Sequence, residues 1–201
     1  MKSAPPATLP RRLVLASTSK YRRELLTRLA LPFEVVPPHV EESAFAHEAP
    51  RDLALRLALA KARAVSERDP QALVIGSDQV AELDGEAVGK PGDHGRATEQ
   101  LKRMSGQTVW FHSALAVVCA DTGFAQTDSA PVKVRFRELD AAEIERYLRT
   151  EQPYDCAGSA KSEALGIALL DSIESDDPTA LIGLPLIRTA RLLRAAGLCL
   201  P

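Results

Sequence analysis

The sequence predicts an α/β fold, because buried strands and amphipathic helices follow one another along the chain. LVL at 13–15 is a short apolar run typical of a buried strand, and leucines recur at helical spacing over 20–29. ALVIG at 72–76 indicates a second buried strand. With 201 residues, 45% of them hydrophobic, the chain can bury the core of one domain.

Further elements are separated by turns. The segment 50–68 alternates leucines as a strand does, but its length and its scarcity of β-branched residues favour a helix. Asp84-Gly85 predicts a hairpin between two strands. The remaining predictions are a strand at 33–36, helices at 94–104, 140–150 with a capping box, and 183–197, long strands at 107–120 and 124–136, and an irregular segment at 153–166.

Composition excludes several classes of protein. The net charge of −2 and the pI of about 6.1 argue against a nucleic-acid polymer as partner. Residues 1–12 lack the apolar core of a signal peptide and read as a disordered tail, and no apolar run reaches the ~20 residues of a membrane span. Cys119, Cys156 and Cys199 form neither a metal pattern nor a disulfide framework, which favours the cytoplasm.

The turn after the first strand has the layout of an anion-binding site. Ser17 and Ser19 precede a helix whose first turn carries Arg22 and Arg23. A helix N-terminus already favours anions, so arginines there oppose the helix dipole unless an anion compensates them. We expect these four residues to cradle a triphosphate. The alternative is a basic first turn that simply faces solvent.

A second group of charged residues is predicted to complete this site. Asp78 follows the second buried strand, where α/β proteins place active sites, and the hairpin returns Lys90 towards it. Lys61 lies on an apolar helix stripe, where it either snorkels to solvent or joins the site. Glu42 lies in a polar loop and is either solvated or a metal or base ligand. Lys161, in the irregular segment 153–166, is a candidate phosphate ligand.

These groups suit a bound polyphosphate. Cations outnumber carboxylates and come from separate elements, which favours a polyphosphate with one hard divalent cation, Mg²⁺ or Mn²⁺. No GxxxxGK[ST] sequence occurs, which argues against a P-loop ATPase or GTPase. The four histidines show no zinc-like spacing. The pattern therefore favours metal-assisted hydrolysis of a phosphoanhydride.

Four ordered motifs resemble those of one family. LASTSKYRRELL at 15–26 resembles the LASxSxxRxxLL signature of the Maf-like nucleotide pyrophosphatases. IGSDQV at 75–80, GKP at 89–91 and AGSAKSE at 157–163 match its later motifs in the same order. The similarity runs from Leu13 to about Ala196. Lys20 departs from the family pattern, because it replaces the usual proline.

The resemblance implies a Maf/ITPase-like α/β fold over 13–201, with a mixed, elongated and twisted sheet, flanking helices and two lobes around a central cleft. It also implies hydrolysis of a nucleoside triphosphate to the monophosphate and pyrophosphate, homodimerisation, and removal of modified nucleotides. The roles carried over by matching position are a general base or metal-organising carboxylate at Asp78, phosphate contacts from Ser17, Arg22 and Arg23, and completion of the site by Glu42, Lys61 and Lys90.

The motif after the second strand points to a subgroup. Family members that act on dTTP and UTP carry GADTxV there, whereas GSDQV is similar to the subgroup that hydrolyses 7-methyl-GTP. In that subgroup, the residues linked to base choice match Tyr21, Gln79 and Glu163, and Tyr21 stands where the similar sequences carry Trp. A methylated guanine is cationic, so an aromatic face and a carboxylate would both attract it. The alternative for Tyr21 is a core aromatic.

Two other functions compete with this one. The first keeps the reaction but takes dTTP, UTP or another non-canonical nucleotide, and the GSDQV motif argues against it. The second is a nucleotide-sensing regulator of cell division with little turnover. The intact Asp78 and the basic residues around it argue against a sensor.

Overall fold

The computed structural model describes residues 11–200 and contains one seven-stranded mixed sheet. The strand order is β2-β1-β3-β5-β6-β7, with β4 paired to β3. β2, β1 and the first part of β3 are parallel, and all other pairs are antiparallel. The strands are β1 (Leu13–Ala16), β2 (Glu34–Val36), β3 (Leu73–Leu83), β4 (Glu86–Val88), β5 (Thr108–Cys119), β6 (Phe124–Phe136) and β7 (Leu170–Glu174).

Five α-helices flank the sheet, together with short 3₁₀ turns in the segment 157–182. The predicted capping box at 140–143 is confirmed, and so is the hairpin at Asp84-Gly85, where both residues have positive φ. No helix within residues 11–200 is long and apolar enough to cross a membrane. The helices are α1 (Lys20–Thr27), α2 (Pro50–Ser66), α3 (His94–Met104), α4 (Ala141–Glu151) and α5 (Leu186–Ala195).

The predicted tail, residues 1–12, lies outside the described residues except for Arg11 and Arg12. Arg11 donates to the Gln71 carbonyl and pairs with Asp121, and the Arg12 carbonyl accepts from the amide of Leu73. Both of these residues therefore contact the parallel end of the sheet.

Apolar side chains on the two faces of the sheet divide the fold into two lobes. In the first lobe, α2 covers Val74 and Ala116 on one face, while α1 and α5 cover Ile75 and Leu115 on the other. In the second lobe, α3 and α4 pack on the far ends of β5 and β6. The predicted mixed α/β fold with two lobes is confirmed.

Strand β3 continues much further than its sequence predicts. The sequence predicts one strand that ends at Gly76 and a separate hairpin strand over 79–84, but the structure joins them into one strand, whose ladder with β5 continues to Glu82 and pairs Asp78 with Ala114. On its other edge, β3 pairs with β1 only up to Gly76 and with β4 only from Ala81. Residues 77–80, the first three of them polar, are therefore inside a strand with one open edge, and this gap in the sheet forms the floor of the cleft.

Gly76 allows α2 to approach the sheet unusually closely. A Cβ atom on Gly76 would lie 2.2 Å from the carbonyl oxygen of Ala58 and 2.6 Å from the amide nitrogen of Ala62. Both neighbours are backbone atoms, so α2 would have to move as a body to make room. Gly76 thus fixes the distance between α2 and the residues that follow it in β3.

We expect Gly76→Ala to lower the free energy of unfolding by about 1–3 kcal/mol, because overpacking displaces α2. Denaturant titration followed by circular dichroism measures this change. Gly89→Ala is the matched control, since no atom lies within 4 Å of its Cβ position. An unfolding midpoint equal to that of the wild type would show that the close approach is not required.

Candidate active site

A cavity of about 580 Å³ opens between the two lobes at the gap in the sheet. Its walls come from the β1–α1 turn, α2, the middle of β3, the turn after β4, and the segments 155–163 and 181–183. It collects most of the residues predicted from the sequence. Those that line it are Ser17, Ser19, Tyr21, Arg22, Glu42, Lys61, Asp78, Gln79, Lys90 and Glu163.

Lys61 joins two carboxylates on the α2 side of the cavity. Its Nζ atom lies 2.6 Å from Asp78 Oδ1 and 2.6 Å from Glu42 Oε1. Lys61 and Asp78 are only 5% and 7% exposed, whereas Glu42 is half-exposed. Of the two alternatives for Lys61, the structure therefore has the one in which it lies at the site and does not snorkel to solvent. The ammonium is held inside, because Gly76 brings α2 against β3.

The ion pairs with Lys61 leave one oxygen of each carboxylate free to bind another ligand. No described residue donates to Asp78 Oδ2 or Glu42 Oε2. Partial burial opposes ionisation of Glu42, but the bond to Lys61 and the charges of Lys90 and Arg22 lower its pKa. Glu42 is thus a carboxylate at neutral pH, with one oxygen facing the cavity.

The β1–α1 turn presents hydroxyl groups at the start of α1. Ser17 Oγ accepts from the amide of Ser19 at 3.0 Å, and Ser19 Oγ accepts from the amide of Arg22 at 3.4 Å and caps the helix. Both oxygens act as acceptors in these bonds, so each hydroxyl keeps its hydrogen to donate to a ligand. The turn therefore offers donors at the positive end of α1.

Two cations face the cavity without a carboxylate partner. Arg22 donates through Nε to the carbonyl of Gly183 at 3.0 Å, and no acidic group of the described chain lies within ion-pair distance of Arg22 or Lys90. Burial lowers the pKa of Arg22, while Asp78 and Glu42 act in the opposite direction. An arginine stays charged under such shifts. This end of the cavity is therefore suited to an anion.

Arg23 and Lys161, predicted as phosphate ligands, do not line the cavity. Arg23 is exposed, because adjacent helical positions point about 100° apart and Arg22 takes the inward one. Lys161 Nζ lies 2.5 Å from Glu151 Oε1, and Glu151 also accepts from the amide of Leu165. Lys161 thus fastens its own loop to α4.

A second group of residues that line the cavity is acidic and aromatic, apart from Lys20, whose ammonium lies 4.9 Å from the centroid of the Tyr21 ring. Tyr21 lies in the wall rather than in a core, and its pKa is raised by burial and then by the nearby Cys156 and Asp155. Glu163 belongs to the same group, and burial raises its pKa as well. Sequence reasoning missed Asp155 and Cys156. Burial raises the pKa of the Cys156 thiol to about 12, so this group stays protonated.

Gln79 lines the cavity with its amide already engaged. Its Nε2 atom lies 2.8 Å from Ser113 Oγ and 3.0 Å from the carbonyls of Ala180 and Leu181. These three acceptors use the amide hydrogens, so the carbonyl oxygen of Gln79 is the group left for a ligand.

Backbone carbonyls of residues 180–183 position several of these side chains. Gly183 O accepts from Arg22 and also from Ser77 Oγ at 3.0 Å, and Gly183 has φ of 118°. A glycine is needed at that φ. Carbonyl oxygens carry no side-chain identity, so no sequence pattern could have revealed this segment beyond the glycine itself.

The described residues fit a metal that is shared with a substrate. Within residues 11–200, no three His, Cys, Asp or Glu side chains cluster into a metal site. Glu42 and Asp78 nevertheless each offer one oxygen to the cavity. Mg²⁺ and similar ions take one or two carboxylates and complete their shell with phosphate oxygens and water.

Residues 12–196 match the family described as Maf-like protein. A protein of Albidiferax ferrireducens named 7-methyl-GTP pyrophosphatase is 66% identical over 190 residues, which is 94% of this chain and 96% of the relative. Proteins of the same name from a Polaromonas species and from Aromatoleum aromaticum are 65% and 61% identical over 94% of this chain, and over 87% and 98% of their own lengths.

One solved structure shares the fold. The Staphylococcus aureus Ham1 protein superposes with a TM-score of 0.55 over 92% of this chain and 100% of its own length, at 12% identity. At that identity the similarity concerns the backbone arrangement alone, and it agrees with a mixed sheet flanked by helices.

Proposed function

The chain belongs to the Maf-like protein family, and we propose that it hydrolyses 7-methyl-GTP to 7-methyl-GMP and pyrophosphate. Relatives of 58–66% identity are named 7-methyl-GTP pyrophosphatase, and the residues that line the cavity are suited to nucleotide hydrolysis. The single observation that carries the proposal is that the cavity is lined by two different groups of residues, one rich in cations and the other acidic and aromatic. Its cationic end suits a polyphosphate, and its acidic, aromatic end suits a cationic base.

The cationic end provides what a triphosphate needs. Arg22 presents a planar fork that binds phosphate oxygens, Lys90 adds a second positive charge, and Ser17 and Ser19 add hydroxyl donors. The turn after β4 that carries Lys90 is held by Gln100, whose amide donates to the Gly89 carbonyl at 3.0 Å. The donors are thus fixed before the substrate arrives, which lowers the cost of binding.

The acidic end distinguishes 7-methylguanine from guanine by charge. Methylation makes the base cationic, so Asp155 and Glu163 attract it and the ring of Tyr21 offers it a π face. A carboxylate also accepts hydrogen bonds from the N–H edge of guanine. The carbonyl oxygen of Gln79 adds a further acceptor. The neutral base of GTP gains only the hydrogen bonds.

We further propose a divalent cation, Mg²⁺ or Mn²⁺, held by Glu42 and Asp78. When bound, such an ion lowers the pKa of water and offsets charge on the phosphates. The oxygens that would hold it are those that no described residue binds, Glu42 Oε2 and Asp78 Oδ2, and Lys61 would keep both carboxylates in place.

The chain's own residues supply the other steps. Asp78 Oδ2 is free because Oδ1 is occupied by Lys61, and it has two lone pairs. One lone pair would hold the ion, and the other accepts a proton from the attacking water. The water oxygen bonds to phosphorus, the phosphoanhydride bond breaks, and pyrophosphate departs with the bonding electrons. Arg22 and Lys90 stabilise the charge that develops on the phosphate oxygens.

Two alternative functions predict different experimental results. The ammonium of Lys20 lies 4.9 Å from the centroid of the Tyr21 ring, where it competes with a cationic base. That contact favours a nucleotide with a neutral base, such as dTTP or UTP. A nucleotide-sensing regulator of cell division would bind the nucleotide without hydrolysing it.

For the enzyme we propose a cytoplasmic role in removing modified nucleotides, in line with its three free cysteines. Homodimerisation stays a prediction of the resemblance.

We expect Asp78→Asn to lower kcat by about a thousandfold, since a positioned general base contributes roughly 10²–10⁴. Nucleotide affinity, measured by calorimetry, should stay close to that of the wild type, because Asn keeps the shape and the phosphate contacts remain. Asp84→Asn in the hairpin turn is the matched control, because Asn-Gly supports the same turn. Unchanged turnover of Asp78→Asn would refute the mechanism.

We expect Glu163→Gln to lower kcat/KM for 7-methyl-GTP by about tenfold, since a hydrogen bond to a charged group contributes about 1.5–3 kcal/mol. For GTP the change should be smaller, because its base carries no positive charge. Steady-state kinetics on both substrates give the selectivity ratio. Glu99→Gln, on the exposed face of α3, serves as control. Equal losses on both substrates would exclude charge selection by Glu163.

A further inference from the structure

The segment 41–49, which carries Glu42 to the cavity, lies on the protein surface with little apolar burial. It contains no helix or strand, and Glu48 is its one residue that is not exposed. Even Phe45 is 65% exposed. Polar contacts, rather than a core, must therefore hold this segment against α2.

We propose that Arg56 is a positioning residue for Glu42, and that it fastens the segment 43–48 to α2 so that the Glu42 carboxylate stays at Lys61. This inference rests on the proposed function, in which Glu42 serves the reaction. Arg56 is in the second turn of α2, five residues before Lys61. One helix thus carries both the clamp for the segment and the ammonium that its carboxylate meets.

Arg56 contacts the segment at three places. Its Nε and Nη2 atoms lie 2.6 Å and 2.7 Å from the two carboxylate oxygens of Glu48, which is a bidentate pair. Nη2 also donates to the carbonyl of Ser43 at 2.9 Å, and the guanidinium carbon lies 4.0 Å from the centroid of the Phe45 ring. The hydrogen bond to Arg56 lowers the pKa of Glu48 to about 2, so the pair stays ionised at neutral pH.

The clamp reaches Glu42 through the adjacent backbone. Ser43, whose carbonyl Arg56 binds, follows Glu42 directly, and its amide and hydroxyl donate to Glu41 at 3.0 Å and 2.6 Å. The Phe45 amide donates to Glu48 at 3.0 Å and tightens the turn. Residues on both sides of Glu42 are therefore fixed before its carboxylate reaches Lys61.

The Glu42–Lys61 bond would not hold the segment by itself. Glu42 is half-exposed, and an ion pair of that kind contributes little stability, while ordering several backbone residues is costly. At the other end, Arg68 binds the carbonyls of Pro37 and Pro38, which leaves residues 39–49 as a loop between two anchors. Arg56 is the side chain that ties the middle of this loop.

A double-mutant cycle tests the proposal. We expect Arg56→Ala to lower kcat/KM for 7-methyl-GTP by about tenfold or more, since small misplacements of catalytic groups cost up to ~10²-fold. In a Glu42→Ala background the same change should cause no further loss, because Arg56 acts through Glu42. Arg63→Ala, an exposed arginine on the same helix, is the matched control. An equal loss in both backgrounds would overturn the proposal.

Arg56→Lys separates positioning from charge. Arg56 also feels the charge of Asp78, so a purely electrostatic role would be rescued by lysine. Lysine cannot form the bidentate pair, so a positioning role predicts that most of the loss persists. Full rescue by Arg56→Lys would overturn the proposal, and this variant also covers the case in which Arg56→Ala does not fold.

Hydrogen–deuterium exchange provides a readout that does not depend on turnover. Peptides covering residues 39–49 should exchange faster in Arg56→Ala and Arg56→Lys than in the wild type or Arg63→Ala, while peptides from β3 and β5 keep their protection. Unchanged exchange at 39–49 would overturn the positioning role whatever the kinetics. A wild-type protein that does not hydrolyse 7-methyl-GTP would instead refute the proposed function, which keeps the two failures distinct.

Discussion

The site depends on one buried contact, the ammonium of Lys61 between Asp78 and Glu42. Asp78 is nearly inaccessible, and a carboxylate in that position would be costly without a partner. The contact requires α2 to lie against β3, and Gly76 is the residue that permits this approach. A packing constraint in the middle of the sheet therefore decides where the charged groups of the cleft stand.

The gap in the sheet explains why the cleft is where it is. β1 ends opposite Gly76 and β4 ends opposite Ala81, so the intervening edge of β3 has no neighbouring strand. Alternate side chains of this stretch point to opposite faces, and Asp78 therefore meets α2 while Ser77 and Gln79 meet the segment 180–183. One short stretch of strand thus presents both a carboxylate and an amide carbonyl to the cleft.

The sequence predicts the main elements and most of the charged residues that line the cavity, because short motifs place identifiable side chains next to strands. It does not separate Arg22 from Arg23, since both occur in the same helical turn and only the fold decides which one faces inward. It predicts two strands where the structure has one, because the polar residues Ser77 and Asp78 look like a break between them until β5 pairs with both.

Other parts of the site carry no sequence signal of their own. The carbonyls of residues 180–183 act through backbone, and Arg56 is one of several arginines on α2 until the segment 41–49 is seen to fold against it. Lys161 shows the reverse case, because a motif residue expected to bind phosphate is paired with Glu151 instead.

The measurement that tests the central claim most directly is pyrophosphate release with Mg²⁺ or Mn²⁺ from 7-methyl-GTP, GTP, dTTP and UTP in parallel. A cavity with a cationic phosphate end and an acidic, aromatic base end predicts that kcat/KM is highest for 7-methyl-GTP and clearly lower for GTP. A preference for dTTP or UTP, or equal rates on 7-methyl-GTP and GTP, would contradict the claim that the acidic end selects a cationic base.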